Sequence, residues 1–221
     1  WRGALEGRGG IALVEGPPGI GKTRLSEVFA GEAGRSGGLV LVGRSRDGEG
    51  VPAFWLWAQL LRRLREQEVG SEAFAELADA PPELLALVEG TAAGAAADGP
   101  ASQDLAPQQG RFLLFDAVTR ALARVARGRP LLLVLEDVQW AGSASLRLLE
   151  HLSFEVGELP ILALATVREE VRDPDHPLEK LLPRLRQQPR CERITLRGFS
   201  RREVAALLEH AIGRPAPPDL S

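Results

Sequence analysis

Apolar residues along this chain fall into two patterns, compact runs and helical stripes. Ile11-Ala12-Leu13-Val14 is a compact run, and so is Leu39-Val40-Leu41-Val42, which follows the turn Ser36-Gly37-Gly38. Leu131-Leu132-Leu133-Val134-Leu135 and, after Pro160, Ile161-Leu162-Ala163-Leu164-Ala165 are two more. Neither of the last two alternates with polar residues, so both predict strands covered on both faces, as in a parallel sheet. Glu192 to Leu196 predicts a fifth, more exposed strand. Between the runs, helical spacing takes over. Leu25, Val28 and Phe29 mark a helix over 21–33; Leu56, Leu60, Leu61 and Leu64 mark another. Arg111, Leu114, Phe115, Val118 and Leu122 share one face of a third, which Gly128 ends and Pro130 keeps from resuming. Shorter helices are expected at 72–77 and 82–88. Ser200 and Glu203 form a capping box that opens a last helix, Arg201 to Ile212. Residues 91–107, rich in Ala, Gly, Asp and Pro without apolar period, predict a flexible surface excursion. Strands that alternate with helices predict a doubly wound α/β sheet, with ligand at the carboxyl ends of the strands.

Directly after the first run stands GPPGIGKT, Gly16 to Thr23, which fits G-x-x-x-x-G-K-[ST]. Glycines at 16, 19 and 21 let the backbone turn tightly and aim successive N–H groups at a phosphate. The helix that begins near Gly21 adds the positive end of its dipole. Lys22 is placed to reach β- and γ-phosphate oxygens, and the Thr23 hydroxyl to bind Mg²⁺. The candidate nucleotide-binding set is Gly16, Pro17, Pro18, Gly19, Ile20, Gly21, Lys22, Thr23 and Arg24.

The run Leu131–Leu135 ends in Glu136-Asp137. A carboxylate at the end of a buried strand is costly unless it meets a cation, and apolar residues followed by two acids form the Walker B pattern beside a phosphate loop. Thr23, Glu136 and Asp137 are therefore the candidate metal set, with Glu136 orienting the metal's water ligands. Asp137 is the candidate general base toward an attacking water. Ile161–Ala165 ends in Thr166-Val167-Arg168, where Thr166 and Arg168 are candidates to sense a γ-phosphate. Lys22, Asp137 and Arg168 make the candidate catalytic set.

Composition narrows the class. The 221 residues are 44% hydrophobic and 26% charged with a net charge of −3, so no overall basic field draws the chain to nucleic acid. No apolar run reaches the length of a membrane span, and no signal peptide is visible. One cysteine, Cys191, forbids an internal disulfide and fits a reducing compartment. The chain has no Met and opens Trp1-Arg2-Gly3, which suggests a piece of a longer protein. His151, His176 and His210 lack metal-ligand spacing and are expected at the surface or as caps. Phe54, Trp55, Trp57 and Trp140 are either core aromatics or a stacking surface. Arg62-Arg63-Arg65 is expected as a solvated face. Arg184, Arg186 and Arg190 are candidates to reach a neighbouring subunit's phosphate.

These stretches resemble a known family. ALVEGPPGIGKTRL, GEGVPAFWLWAQLLR, RFLLFDAVTRALARVARGRPLLLVLEDVQWAGSASLRLLEHL, ATVREEVRDPDHPLEKLLPRL and LRGFSRREVAALL together resemble the AAA-type ATPase module of bacterial STAND signalling proteins. Such modules occur in large LuxR-family (LAL-type) transcriptional regulators and in adenylate cyclase or kinase fusions. The chain departs from the family pattern at Leu56, where Pro is usual, and at Glu136 and Gly142, where Asp is usual. The resemblance implies a P-loop NTPase fold, a three-layer α/β/α sandwich around a mostly parallel five-stranded sheet. It implies an ATPase core over 1–199 and the start of a helical lid over 200–221. ATP and Mg²⁺ are the implied cofactors. The implied partners are other domains of the full-length protein, with nucleotide-dependent self-association, in the bacterial cytoplasm and with neither membrane nor direct nucleic-acid contact. Two rivals stay open: a scaffold that holds nucleotide without turnover, which Glu136 favours, and a P-loop kinase for a small molecule. A transporter ATPase is disfavoured, since no LSGGQ-like segment precedes residue 131.

Overall fold

The computed structural model describes residues 1–48, 51–67, 85, 88–89, 108–168 and 175–212. The helix expected at 72–77, most of that at 82–88 and the excursion at 91–107 lie outside the described residues. Five strands, β1 (Gly10–Gly16), β2 (Leu39–Arg44), β3 (Leu131–Glu136), β4 (Ile161–Arg168) and β5 (Cys191–Thr195), form one sheet in the order β2-β3-β4-β1-β5. Every pairing among them is parallel. All strands therefore end at one edge. Gly16 lies opposite Arg168 in the β1–β4 register, and Arg44 opposite Glu136 in the β2–β3 register.

The apolar runs become strands because side chains of successive residues face opposite layers. In β3, Leu131, Leu133 and Leu135 face one layer and Leu132 and Val134 the other, each at most 1% exposed. The first layer holds α3 (Trp55–Arg65), α4 (Gln108–Gly128), α5 (Ser143–Glu155) and α6 (Pro177–Arg186). The second holds α2 (Lys22–Arg35), whose Leu25, Phe29, Ala30 and Ala33 pack on Val14, Leu132, Val134 and Leu164. The result is the expected α/β/α sandwich. A four-residue α1 (Arg2–Leu5) precedes β1, and α7 (Arg201–Ile212) follows β5.

Three helices, α1, α5 and α6, are additions to the elements that the sequence pattern predicts. α6 begins with Pro at its first position, and the His176 Nδ1 accepts the Leu178 N–H at 3.1 Å, the capping role expected of a histidine. The α7 capping box forms as expected. Glu203 Oε2 accepts the Ser200 N–H at 2.7 Å, and Ser200 Oγ accepts the Glu203 N–H at 3.3 Å. The hydrogen bonds from Ser200 hold the Glu203 carboxyl below its ordinary range. β5 is the exposed strand that its sequence suggests.

The aromatic segment is structural at its centre. Trp57 is wholly buried and its Nε1–H donates to the Ser145 carbonyl at 2.9 Å, tying α3 to α5. Phe54 takes left-handed backbone angles (φ 63°) and meets Phe115 edge to face at 6.1 Å. Trp55 is half-buried and carries Arg62 over its ring at 5.1 Å. Along the outer side of β2, the Gln59 amide nitrogen donates to the Arg44 carbonyl at 2.9 Å, and its oxygen accepts the Arg44 N–H at 3.3 Å.

Trp57→Phe deletes a buried hydrogen bond and part of a packed ring, and is expected to lower stability by about 2 kcal/mol or more. Trp55→Phe keeps most of its packing and is expected to cost less than about 1 kcal/mol. Urea unfolding midpoints at constant m-value distinguish the two; equal losses would show that Trp57 is not the anchor.

Candidate functional site

The loop after β1 is built by its glycines. Gly19 (φ 75°) and Gly21 (φ 102°) take left-handed angles, and nothing lies within 4 Å of where a side chain would stand on either. Gly21 is also the N-cap of α2 and makes no side-chain cap, so the first N–H groups of that helix are left for a ligand. Lys22 is 7% exposed and folds back over the loop, donating through Nζ to the Gly16 carbonyl at 2.7 Å and the Pro17 carbonyl at 2.8 Å. Thr23 is exposed on the first turn, Pro18 is exposed, and Pro17 and Ile20 are half-buried. The Arg24 side chain runs outward to Glu27 at 3.5 Å, which leaves only its backbone facing the loop's opening.

Two strands away, the end of β3 is wired to the end of β4. Asp137 is left-handed (φ 56°), which turns the chain sharply into a short helical turn, Val138–Trp140. The Asp137 N–H donates to Thr166 Oγ1 at 2.9 Å. Its Oδ1 accepts from the Gln139 amide nitrogen at 3.1 Å and lies 3.6 Å from Arg168 Nε. The Gln139 amide oxygen accepts the Arg168 N–H at 3.1 Å. Asp137, Thr166 and Arg168, chosen from sequence as a catalytic and sensing set, are thus one connected group. Gln139, 1% exposed, completes it. It sits inside the LEDVQW stretch, but nothing in its type or spacing marks it out.

Glu136, expected to orient a metal's water ligands, is held here by groups of the protein. It is 4% exposed; its Oε1 accepts from Ser26 Oγ at 3.0 Å, and its Oε2 accepts from Arg44 Nε at 2.7 Å. The extra methylene over Asp carries the carboxylate to Ser26, one residue triplet beyond Thr23 on α2. A cavity of about 500 Å³ opens there, lined by Arg44, Arg46, Gln59 and Arg63 with Ser26 and Glu136. One residue before the loop, Glu15 is 1% exposed and bridges Arg186 on α6 and Arg193 on β5, each at 2.8 Å. Arg184 pairs with Glu150 at 2.9 Å. Arg184 and Arg186, candidates to reach a neighbouring subunit, therefore have partners within the chain. Trp140 is half-buried beside Ala141, and His151 packs on Phe112 and Phe115.

Residues 1–164 match the family model described as the AAA ATPase domain. The chain belongs to that family. No curated protein matches it. Among solved structures, it is 12% identical to a STAND protein with a tetratricopeptide repeat sensor from Pyrococcus horikoshii (99% of this chain, 25% of that one, TM-score 0.47). It is 17% identical to Cdc6p from Pyrobaculum aerophilum (94% and 44%, TM-score 0.47). It is 14% identical to a chain of the Drosophila ORC bound to AT-rich DNA and Cdc6 (90% and 51%, TM-score 0.48). The domain spans from 25% to 51% of the length of these chains.

As an AAA ATPase domain, the chain is of a kind that binds nucleotide, typically with Mg²⁺. Mg²⁺ asks for one or two carboxylates and hydroxyl or phosphate oxygens, and the donor set here suits it. Thr23 offers an exposed hydroxyl, and Asp137 a carboxylate at the strand end, while Glu136 is already engaged by Ser26 and Arg44. No helix among the described residues of the AAA ATPase domain is long and apolar enough to cross a membrane.

Burial pushes the Cys191 thiol above its ordinary range, an effect that the nearby Arg186 partly offsets and that Glu15 and Glu192 reinforce. Only the thiolate is nucleophilic, so a raised thiol is protonated at neutral pH. Its alkylation by iodoacetamide is expected to run several-fold slower than that of a free thiol, with a rate midpoint at higher pH; faster alkylation would contradict the burial. The Glu15 cluster gives a second expectation. Replacing Arg186 and Arg193 together by Met strands a buried carboxylate and is expected to cost about 3–5 kcal/mol. Glu15→Gln leaves two partly exposed arginines and is expected to cost much less, a contrast that urea unfolding reads directly.

Proposed function

We propose that this AAA ATPase domain is the ATP-binding, slowly hydrolysing switch module of a bacterial signalling or transcriptional regulator of the LuxR (LAL) or cyclase and kinase fusion type. The observation that supports it most is the convergence of three neighbouring strand ends. The glycine loop follows β1, Arg168 ends β4 directly beside it, and Asp137 follows β3 and is hydrogen-bonded to β4. In this reading the ATP phosphates lie against the N–H groups from Gly19 to Arg24. Lys22 exchanges the carbonyls of Gly16 and Pro17 for phosphate oxygens. Thr23 with Asp137, and Glu136 if freed from Arg44, would hold Mg²⁺, which would supply neutralisation of the phosphate charge. Asp137 orients a water and accepts its proton. Arg168 faces the negative charge that grows on the γ-phosphate.

Glu136 in the grip of Arg44 fits the slow turnover that a switch requires, because its carboxylate would have to leave Arg44 and Ser26 before it could serve a metal. The same observation supports a second reading, a scaffold that holds nucleotide without turnover. Residues 1–199 serve as the ATPase core and 200–221 as the beginning of the lid. Other domains of a longer cytoplasmic protein, and self-association that responds to ATP or ADP, carry the output. The γ-phosphate then biases the arrangement of the β4 end and the lid.

ATP binding and phosphate release, measured with Mg²⁺ for the purified chain, Lys22→Ala and Asp137→Asn, test this function. The chain is expected to bind ATP and release phosphate slowly. Lys22→Ala is expected to weaken binding about tenfold or more, roughly 1.4 kcal/mol. Asp137→Asn is expected to bind ATP while turnover falls by about 10² or more. Binding without release in the unaltered chain would favour the scaffold, and a folded chain that binds no ATP would overturn both readings.

A further inference from the structure

We propose that Gln139 is a positioning residue that fixes the Asp137 carboxylate and couples it to the end of β4. The inference rests on the proposed role of Asp137 as base. Gln139 has two polar ends and uses both, one on each strand end: the amide nitrogen donates to Asp137 Oδ1 at 3.1 Å, and the amide oxygen accepts the Arg168 N–H at 3.1 Å. The chemistry of the partners fixes the amide's direction. A carboxylate only accepts and a backbone N–H only donates, so a carboxamide suits the gap in one orientation alone. The side chain is 1% exposed, so water does not replace either bond at low cost.

Asp137 needs such a partner. Its left-handed backbone (φ 56°) is a conformation of low intrinsic stability for a residue with a side chain, held here by the Thr166 hydroxyl from one side and Gln139 from the other. The Arg168 guanidinium lies 3.6 Å from the same Oδ1, outside hydrogen-bond range, and so contributes charge without direction. Direction comes from Gln139. Because its other end is bonded to the backbone of Arg168, a displacement of the β4 end is transmitted to the carboxylate through one rigid amide. A phosphate that draws Arg168 toward it thus also sets the aim of Asp137.

The test is steady-state ATP turnover, with ATP binding and urea stability measured separately, for the unaltered chain, Gln139→Leu and Gln139→His. Gln139→Leu removes both bonds and is expected to lower kcat roughly 10- to 100-fold, within what a positioned base contributes, while KM and ATP affinity stay within about threefold of the unaltered chain. Gln139→His retains a donor and an acceptor and is expected to recover part of kcat. A merely structural role would lower ATP binding and stability together with kcat, and Gln139→His would restore none of them selectively. If the unaltered chain turns over and Gln139→Leu matches it in kcat, the inference falls while the ATPase reading stands. If the unaltered chain binds ATP without turnover, Asp137 is not a base and the inference falls with that role. If it binds no ATP, both fall.

Discussion

The parallel pairing of β1 with β4 is the constraint on which the rest depends. It runs without interruption from Gly10 opposite Leu162 to Gly16 opposite Arg168. A loop that follows β1 and a side chain that ends β4 are then neighbours by register alone. β3 lies on the far side of β4, so its acidic end arrives at the same edge from the other direction. Parallel pairing also demands cover on both faces, which is why these strands are nearly pure Leu, Ile, Val and Ala and why helices must return over each face.

Buried carboxylates tighten that edge. Glu15 joins β1 to β5 and α6 through two arginines, and Glu136 joins β3 to β2 and α2 through Arg44 and Ser26. Burying a charge is unfavourable unless the partners are well placed, so these clusters act more as locators than as sources of stability. Each stands within a residue of the chemistry: Glu15 precedes Gly16, and Glu136 precedes Asp137. The strand ends that carry the loop and the candidate base are therefore held from the flank, by groups that need not touch a ligand.

Much of this was legible in the residues. The apolar runs announced four of the five strands, since burial leaves an unmistakable absence of polar positions, and GPPGIGKT announced the loop. The end of β4 was less legible: Thr166, Val167 and Arg168 look like the start of a loop, and only their pairing with Val14, Glu15 and Gly16 makes them strand. α5 and α6 interleave leucines with arginine, glutamate and proline, and their helicity is fixed by packing on the sheet. At the candidate site, residue type and spacing were enough to nominate Lys22, Thr23, Asp137 and Arg168. It was not enough for Gln139, whose role arises from what lies at the end of another strand, nor for Glu136, whose partner Arg44 stands far away in sequence.

Gln59 has a wider consequence. β2 is an edge strand, and edge strands invite another chain to add itself through unpaired N–H and C=O groups. By taking both backbone groups of Arg44, the Gln59 carboxamide imitates one residue of a neighbouring strand. At the end of β2 that borders the site, the backbone groups of Arg44 are thus already taken and do not invite another strand. A contact made at that corner would rest on side chains and helices, surfaces that can be remade as a ligand comes and goes without tearing a backbone ladder.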